Sequence, residues 1–201
     1  MSLTNIAKLL KLQNGQQHLP HLIYLTDENH LIDPTKFISQ LPRKTGVIFR
    51  HYGLPNRFHL AQKIKQICKD RDLTFIISRD INLARILNAD GLHLPEYLAV
   101  KPNFRFRAWK NKPNKILTAA AHSRHTIMRI KNLGFDASLV SPVFETKSHQ
   151  SAKYLGTIGF QNIVSRQALA AFALGGLNNK TATFLKNTNA IGIAGIRGIV
   201  N

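Results

Sequence analysis

Residues 74–94 have the sequence TFIISRDINLARILNADGLHL, which contains one complete structural repeat. Residues 74–77 and 91–94 are short apolar runs, typical of strands buried on both faces of a parallel sheet. Between them, Ile81, Leu83, Ala84 and Leu87 recur at helical spacing behind Asp80, which is a suitable N-cap. The stretch therefore predicts a strand, a helix and a second, parallel strand.

The same rhythm continues in both directions along the chain. Eight short apolar runs predict strands at 22–25, 47–49, 74–77, 91–94, 116–119, 138–140, 171–174 and 190–193. Helix-period segments follow several of them, at 60–68, at 123–134 between Ser123 and Gly134, and at 178–185. Eight βα units in about 200 residues favour a small, eight-stranded parallel barrel of the TIM type. A doubly wound open sheet is the structural alternative.

Three segments depart from a regular barrel. The basic stretch 101–115 is weakly periodic and predicts a distorted fourth helix. The chain ends seven residues after Ala194, so the last helix must be shortened. The N-terminal segment 1–17 is amphipathic and is expected to cover the apolar surface that this helix leaves open. We expect a single domain over 1–201, with the barrel at 22–199.

Charge is the strongest feature of the composition. The chain has 28 Lys and Arg against 10 Asp and Glu, a formal net charge of +18. Residues 97–201 contain only two of the acids, Asp136 and Glu145. Such an excess attracts anions: phosphorylated small molecules, nucleic acid or an anionic surface. One cysteine excludes an intrachain disulfide, and no apolar run is long enough to span a bilayer. We expect a cytoplasmic protein without a membrane partner.

Candidate site residues follow from the barrel prediction, because ligands bind at the carboxyl ends of barrel strands. The polar and glycine residues at the predicted strand ends are Arg50, Ser78, Arg79, His93, His122, Thr146, Ser148, His149, Gly175, Gly176, Gly195, Ile196 and Arg197. The loops after strands seven and eight often bind phosphate through backbone amides. The glycines there allow close approach of an anion, and Arg197 adds a charge, although a glycine pair can also mark no more than a tight turn.

The histidines permit two interpretations each. His93 lies between Leu92 and Leu94 and points to the opposite face, where a hydrogen-bonded core role competes with substrate binding. His122 follows three alanines at a barrel mouth, where a neutral imidazole could move a proton near neutral pH. A purely structural role for His122 is equally compatible with the sequence.

Several fragments in this order resemble a known family. They are Ala89-Asp90-Gly91-Leu92-His93-Leu94, residues 141–149 (SPVFETKSH), Ala173-Leu174-Gly175-Gly176-Leu177 and Gly192-Ile193-Ala194-Gly195-Ile196. The chain resembles the superfamily of thiamine phosphate synthase and thiazole tautomerase, from about Leu22 to Ile199. The resemblance implies a βα barrel. It also implies either a magnesium-dependent transferase that releases pyrophosphate or an isomerase that moves a proton on a thiazole carboxylate phosphate.

The resemblance carries over unevenly. It implies phosphate binding by Gly175, Gly176 and the 195–198 loop, with Thr146 and Ser148 beside them. It gives His122 the proton-transfer role of the tautomerase. Arg50 matches a substrate-binding arginine, and Ser78, Arg79, His93 and His149 lie at further substrate positions. Several family residues are replaced: where the family has Gln, Lys, Asn, Asp, Ser and Lys, this chain has Ile48, Tyr52, Ser78, Arg79, Ala120 and His149. The second magnesium Asp of the family falls near Leu98. We therefore expect neither magnesium nor another cofactor.

These observations leave three functions open. The first is a thiamine-pathway barrel that binds thiazole phosphate or thiamine phosphate, with its magnesium and pyrophosphate residues largely lost. The second is a metal-free tautomerase that uses His122. The third is an anion- or nucleic-acid-binding protein on an inactive barrel, because residues 101–115 interleave six basic side chains with Phe104, Phe106 and Trp109. The sequence also leaves a homodimer open.

Overall fold

The eight predicted runs all form strands, and the strands close into one parallel barrel. In the computed structural model, residues 1–101, 104–146, 153–164, 169–197 and 199 are described. The strands are β1 Leu22–Leu25, β2 Gly46–Phe49, β3 Thr74–Ser78, β4 Gly91–Leu94, β5 Ile116–Ala121, β6 Ala137–Val140, β7 Ala170–Leu174 and β8 Ala190–Gly195. Each strand pairs in parallel with the next in the sequence, and β8 pairs with β1. The barrel prediction is confirmed, and the open sheet is excluded.

Helices connect the strands on the outside of the barrel. They are α1 Leu3–Asn14, α2 Thr35–Ile38, α3 Arg57–Asp70, α4 Ile81–Ile86, α5 Glu96–Ala99, α6 Phe104–Lys110, α7 Arg124–Asn132 and α8 Gly156–Ile163, with a 3₁₀ helix at Thr181–Asn187. Asp80 and Ser123 cap α4 and α7 by accepting the amides of Leu83 and Thr126, as predicted. The helical segment expected at 178–185 after the seventh strand is the 3₁₀ helix. In place of one regular fourth helix, the chain forms the two short helices α5 and α6.

The alternation of side chains along each strand builds two apolar layers. Inward-facing residues fill the barrel, with Ile48, Ile76 and Phe172 among them. Their neighbours Phe75 and Ile77 point outward and join the larger cluster beneath the helices. Because both faces of each strand are buried in this way, the strands are apolar at almost every position.

The helix α1 covers the outside of β8. Leu3, Ile6, Ala7 and Leu10 are buried in the outer cluster, and α1 packs against β8 and the 3₁₀ helix. In the described part of the chain, no helix begins after β8. The amphipathic N-terminal segment thus occupies the place of the eighth helix. No helix among the described residues is long and apolar enough to cross a membrane.

Candidate functional site

A cavity of about 290 Å³ opens between the loops that follow β7 and β8. Its walls come from the ends of both strands, from the loop after β6 and from the start of α1. The lining residues are Leu3, Glu145, Thr146, Leu174, Gly175, Gly176, Leu177, Asn178, Ile193, Ala194, Gly195, Ile196, Arg197 and Ile199. Six predicted phosphate residues, Thr146 and the glycine loops with Ile196 and Arg197, therefore share one cavity. The seventh, Ser148, lies outside the described residues, as do His149 and Gly198.

The glycine pair has a backbone conformation that other residues rarely adopt. Gly175 has φ +98° and Gly176 has φ +66°. A Cβ on Gly176 would lie 2.2 Å from the carbonyl oxygen of Glu145, and one on Gly175 would lie 3.0 Å from Pro142. Neither amide donates a hydrogen bond to another residue that the structure describes. Two open amides at the wall of a cavity can bind an anion.

The start of α1 forms part of this cavity, which the sequence did not predict. Leu3 lines the cavity, and its amide donates to Oδ1 of Asn179 at 2.9 Å. The neighbouring Asn178 accepts from the amides of Lys180 and Thr181, which fixes the beginning of the 3₁₀ helix. These contacts hold the loop after β7 in place behind the glycine pair.

On the other side of the mouth, His122 pairs with Glu96. The Nδ1 atom of His122 contacts Oε2 of Glu96, and Oε1 of the same carboxylate accepts from the hydroxyl of Thr126. The imidazole is about half exposed, with a side-chain exposure of 55%. Burial alone would raise the pKa of Glu96, but the hydrogen bonds from Thr126 and His122 outweigh it and hold the pKa below its usual value. Sequence reasoning missed this pair, although β4 and β5 are neighbours whose following loops must meet.

The side chains of Arg50, Tyr52, Ser78 and Arg79 form a polar group after β2 and β3. Arg50 donates from its backbone amide and Nε to Thr26, at 2.9 and 3.0 Å. The hydroxyl of Tyr52 donates to Oγ of Ser78 at 2.7 Å, and the guanidinium of Arg79 lies 5.0 Å from the centre of the Tyr52 ring. In the described chain, no carboxylate forms an ion pair with Arg50 or Arg79.

Two other histidines, His51 after β2 and His93 in β4, are buried and hydrogen-bonded. His93 is 5% exposed, and its Nδ1 lies 3.0 Å from the hydroxyl of Thr118 inside the barrel. Burial, with the nearby charge of Arg50 as a smaller cause, lowers the pKa of His93 to about 3. His51 is fully buried between the hydroxyl of Thr26 and the carbonyls of Leu31 and Ile32. His93 thus has the geometry of a core residue, and its substrate contact stays a prediction.

Asp80 and Glu96, the acids nearest to the replaced family positions, already have protein partners. Magnesium is usually bound by one or two carboxylates together with substrate phosphates. Asp80 already accepts the amide of Leu83 and pairs with Arg57 at 2.8 Å. Glu96 is occupied by His122 and Thr126, and Ser78 and Arg79 supply no carboxylate. Among the described residues, no three His, Cys, Asp or Glu side chains are grouped as metal ligands.

Comparison with known proteins assigns the chain to a family. A family model described as thiamine monophosphate synthase matches residues 39–199. The chain belongs to the thiamine monophosphate synthase family. Thiamine-phosphate synthase 1 of Streptococcus pneumoniae is 31% identical over 147 residues, which are 71% of this chain and 68% of that protein. Thiamine-phosphate synthase of Pyrococcus furiosus is 26% identical over 159 residues, 78% of this chain and 74% of the relative.

A solved structure agrees with this family at the level of the fold. The thiamine phosphate pyrophosphorylase from Pyrococcus furiosus superposes with a TM-score of 0.69 at 22% sequence identity, over 92% of this chain and 87% of that one.

Proposed function

We propose that this barrel binds thiazole phosphate or thiamine phosphate, with the phosphoryl group in the cavity between the loops after β7 and β8. The observation that carries the proposal is the shared cavity, which Gly175 and Gly176 line together with residues 195–197. Arg197 lines the same cavity and supplies a positive charge, which suits a doubly charged group. Membership of the family and the S. pneumoniae and P. furiosus synthases support a thiamine-related ligand.

We further propose that magnesium-dependent release of pyrophosphate is lost. Three features support this: the apolar Ile48 inside the barrel, Arg79 in place of a carboxylate, and the engagement of Asp80 and Glu96 with protein partners. Arg50 and Arg79 then keep this side of the mouth positively charged without a metal. Arg79 does so where the family resemblance places a magnesium carboxylate.

A second candidate activity is proton transfer on the bound heterocycle by His122. The exposed imidazole at the mouth, beside a carboxylate, favours it. This activity is an isomerisation and needs no metal. His122→Ala would abolish it and leave ligand affinity within about threefold, if the phosphoryl group contributes most of the binding.

Calorimetric titration tests the binding proposal. We expect thiazole phosphate and thiamine phosphate to bind with micromolar dissociation constants, and the unphosphorylated thiazole alcohol to bind at least about 100-fold more weakly. Inorganic phosphate serves as the probe of the anion site alone. Absence of heat for every phosphorylated ligand up to millimolar concentration would disprove the proposal.

Nucleic-acid binding by the basic segment has less support. Trp109 is 1% exposed, and its indole donates to the carbonyl of Ile116 at 3.3 Å, so it cannot stack on a base. Phe106 packs against the core. Lys110 pairs with Asp136, and Lys115 donates to the carbonyl of Ala89 at 2.6 Å. A gel shift at physiological salt tests this alternative, and a band shift only at low salt would indicate unspecific counterion release.

A further inference from the structure

The contacts around His122 form a directed chain of hydrogen bonds. Oγ of Ser123 accepts the amide of Thr126 at 3.1 Å and lies 3.0 Å from the Thr126 hydroxyl oxygen. That hydroxyl gives its own hydrogen to Oε1 of Glu96. The remaining hydrogen between the two hydroxyls must therefore come from Ser123. Ser123 therefore donates to Thr126, and Thr126 donates to the Glu96 carboxylate, which only accepts.

An ionised carboxylate only accepts hydrogen bonds, so its second oxygen decides the state of His122. The pKa of Glu96 lies below its usual value, and the group is ionised at neutral pH. Because Oε2 can only accept, Nδ1 of His122 must be the protonated nitrogen. In the neutral imidazole the free electron pair then belongs to Nε2, the atom on the opposite side of the ring from Glu96.

The partners of Glu96 come from different elements, which gives the arrangement its rigidity. Glu96 is the first residue of α5, Thr126 lies in the first turn of α7, and His122 directly follows β5. Thr126 is buried, and the carboxylate is less exposed than the imidazole, at 29% against 55%. The buried Thr126 therefore holds the Glu96 carboxylate in place, and the carboxylate holds the exposed His122 ring.

We propose that Glu96 is a positioning residue that fixes His122 as the Nδ1-protonated tautomer, with Nε2 as the proton acceptor at the barrel mouth. The inference rests on the proposed function insofar as the proton comes from a phosphorylated heterocycle. Nε2 accepts a proton from one ring position of the ligand, and the electron pair of the broken bond stays in the ring. The imidazolium, held beside the Glu96 carboxylate, then returns the proton to a second ring position, so no electron or proton is gained overall.

The proposal is tested on the ligand-free protein by ¹⁵N NMR of the His122 ring at a pH where it is neutral. We expect the wild type to show protonated Nδ1 and unprotonated Nε2. In Glu96→Gln, the Thr126 hydroxyl still occupies the amide oxygen, so the amide nitrogen faces the ring and donates to it. We therefore expect the ring to change to the Nε2-protonated tautomer. Thr126→Val removes the hydrogen bond to Oε1 but leaves a carboxylate as the acceptor, so the ring should stay protonated at Nδ1.

Asp70→Asn is the control with the same change in charge, because Asp70 is exposed at the end of α3 and contacts Gln66. It should leave the His122 tautomer unchanged. An unchanged tautomer in a folded Glu96→Gln protein, or a wild-type ring protonated at Nε2, would overturn the proposal. Both outcomes are independent of any ligand, so they are separate from a failure of the binding proposal in calorimetry.

Kinetics give a second measurement if isomerisation is observed. We expect Glu96→Gln to lower kcat by about 10- to 100-fold with KM within about twofold, because the variant misplaces the proton and not the ligand. Thr126→Val should lower kcat by a smaller factor. A rise in KM with unchanged kcat in Glu96→Gln would show that Glu96 contacts the ligand and would contradict the positioning role.

Discussion

The two halves of the barrel mouth differ in what occupies the strand ends. After β6, β7 and β8, the loops leave an open cavity whose wall contains the positive-φ pair Gly175 and Gly176. After β2, β3 and β4, the polar groups are already bound to each other, as in the contacts of Tyr52 with Ser78 and of Arg57 with Asp80. Within the described residues, the glycine half presents amides without a hydrogen-bond acceptor, whereas Asp80 and Glu96 in the other half are engaged by protein partners.

The two halves depend on different features of the chain. The glycine half depends on backbone geometry, which tolerates changes in side chains nearby. The other half depends on side-chain identity, and there Arg79 stands in a left-handed conformation with φ +67°. Under the proposed function, the ligand keeps its phosphoryl contact at the glycine half without a metal contact at the other half.

The largest effect should come from Gly176→Ala. The new Cβ would meet the Glu145 carbonyl at 2.2 Å in a conformation that L-residues rarely adopt. The cavity wall must move, and we expect the affinity for thiazole phosphate to fall at least about 100-fold in calorimetry. Gly134→Ala is the matched control, since Gly134 has φ +83° with no atom within 4 Å of a Cβ, at the end of α7. It should cost about 1–2 kcal/mol of stability and leave affinity unchanged. Equal loss of affinity in both variants would contradict phosphate binding at Gly175 and Gly176.

Acid should affect the β2–β4 half before the glycine half. The pKa of His93 is lowered to about 3, below the value of 6.5 for an unperturbed histidine. Because the unfolded chain binds the proton more tightly, the contribution of a neutral His93 is complete above pH 6.5. It is lost as the pH falls from 6.5 toward 3. The strands β6 to β8 contain no ionisable side chain.

We therefore expect hydrogen-exchange protection factors in β4 to fall between pH 6.5 and pH 4.5, ahead of those in β7. His21, whose pKa is lowered to about 4 chiefly by burial, adds to the loss of global stability in the same range. His21→Asn should reduce the pH dependence of the urea midpoint without changing the order of exchange. Simultaneous loss of protection in β4 and β7 would remove the distinction between the halves.

The smallest expected effect is that of magnesium. Asp80 and Glu96 are bound within the protein, so millimolar magnesium should change the dissociation constant of thiazole phosphate by less than about twofold relative to EDTA. Calorimetry in the two buffers measures this. A tenfold lower dissociation constant in magnesium would show that carboxylates of this chain bind the ion together with the ligand. The difference between the two halves of the mouth would then be smaller than their contacts indicate.

Much of the fold could be predicted because its information is local. The run at 91–94 becomes β4 with the same bounds, and Asp80 and Ser123 cap the helices that follow them. The apolar period of a strand buried on both faces differs from that of a helix, so the order of elements is visible without long-range contacts. The glycine loops could be expected to lie together once the barrel was predicted, because the order of the strands places the ends of β7 and β8 side by side.

The contacts of the acids could not be predicted, because each depends on an approach between distant segments. Glu96 and His122 are 26 residues apart, and Arg57 and Asp80 are 23 apart. The sequence left His122 without a partner, and it indicated the capping role of Asp80 but not its ion pair with Arg57. Residue types alone do not indicate whether a carboxylate is satisfied by its neighbours or remains available for a ligand.

By itself, the sequence determined an eight-unit parallel barrel with an excess of positive charge and two glycine-bearing turns at its end. Those features depend on side-chain polarity and backbone freedom, which each residue carries with it. Only the tertiary structure decided that Leu3 borders the cavity between the loops after β7 and β8, that Asn179 accepts the Leu3 amide, and that Glu96 contacts His122. Hydrogen bonds and packing need two partners at the correct distance, and only the closed barrel sets those distances.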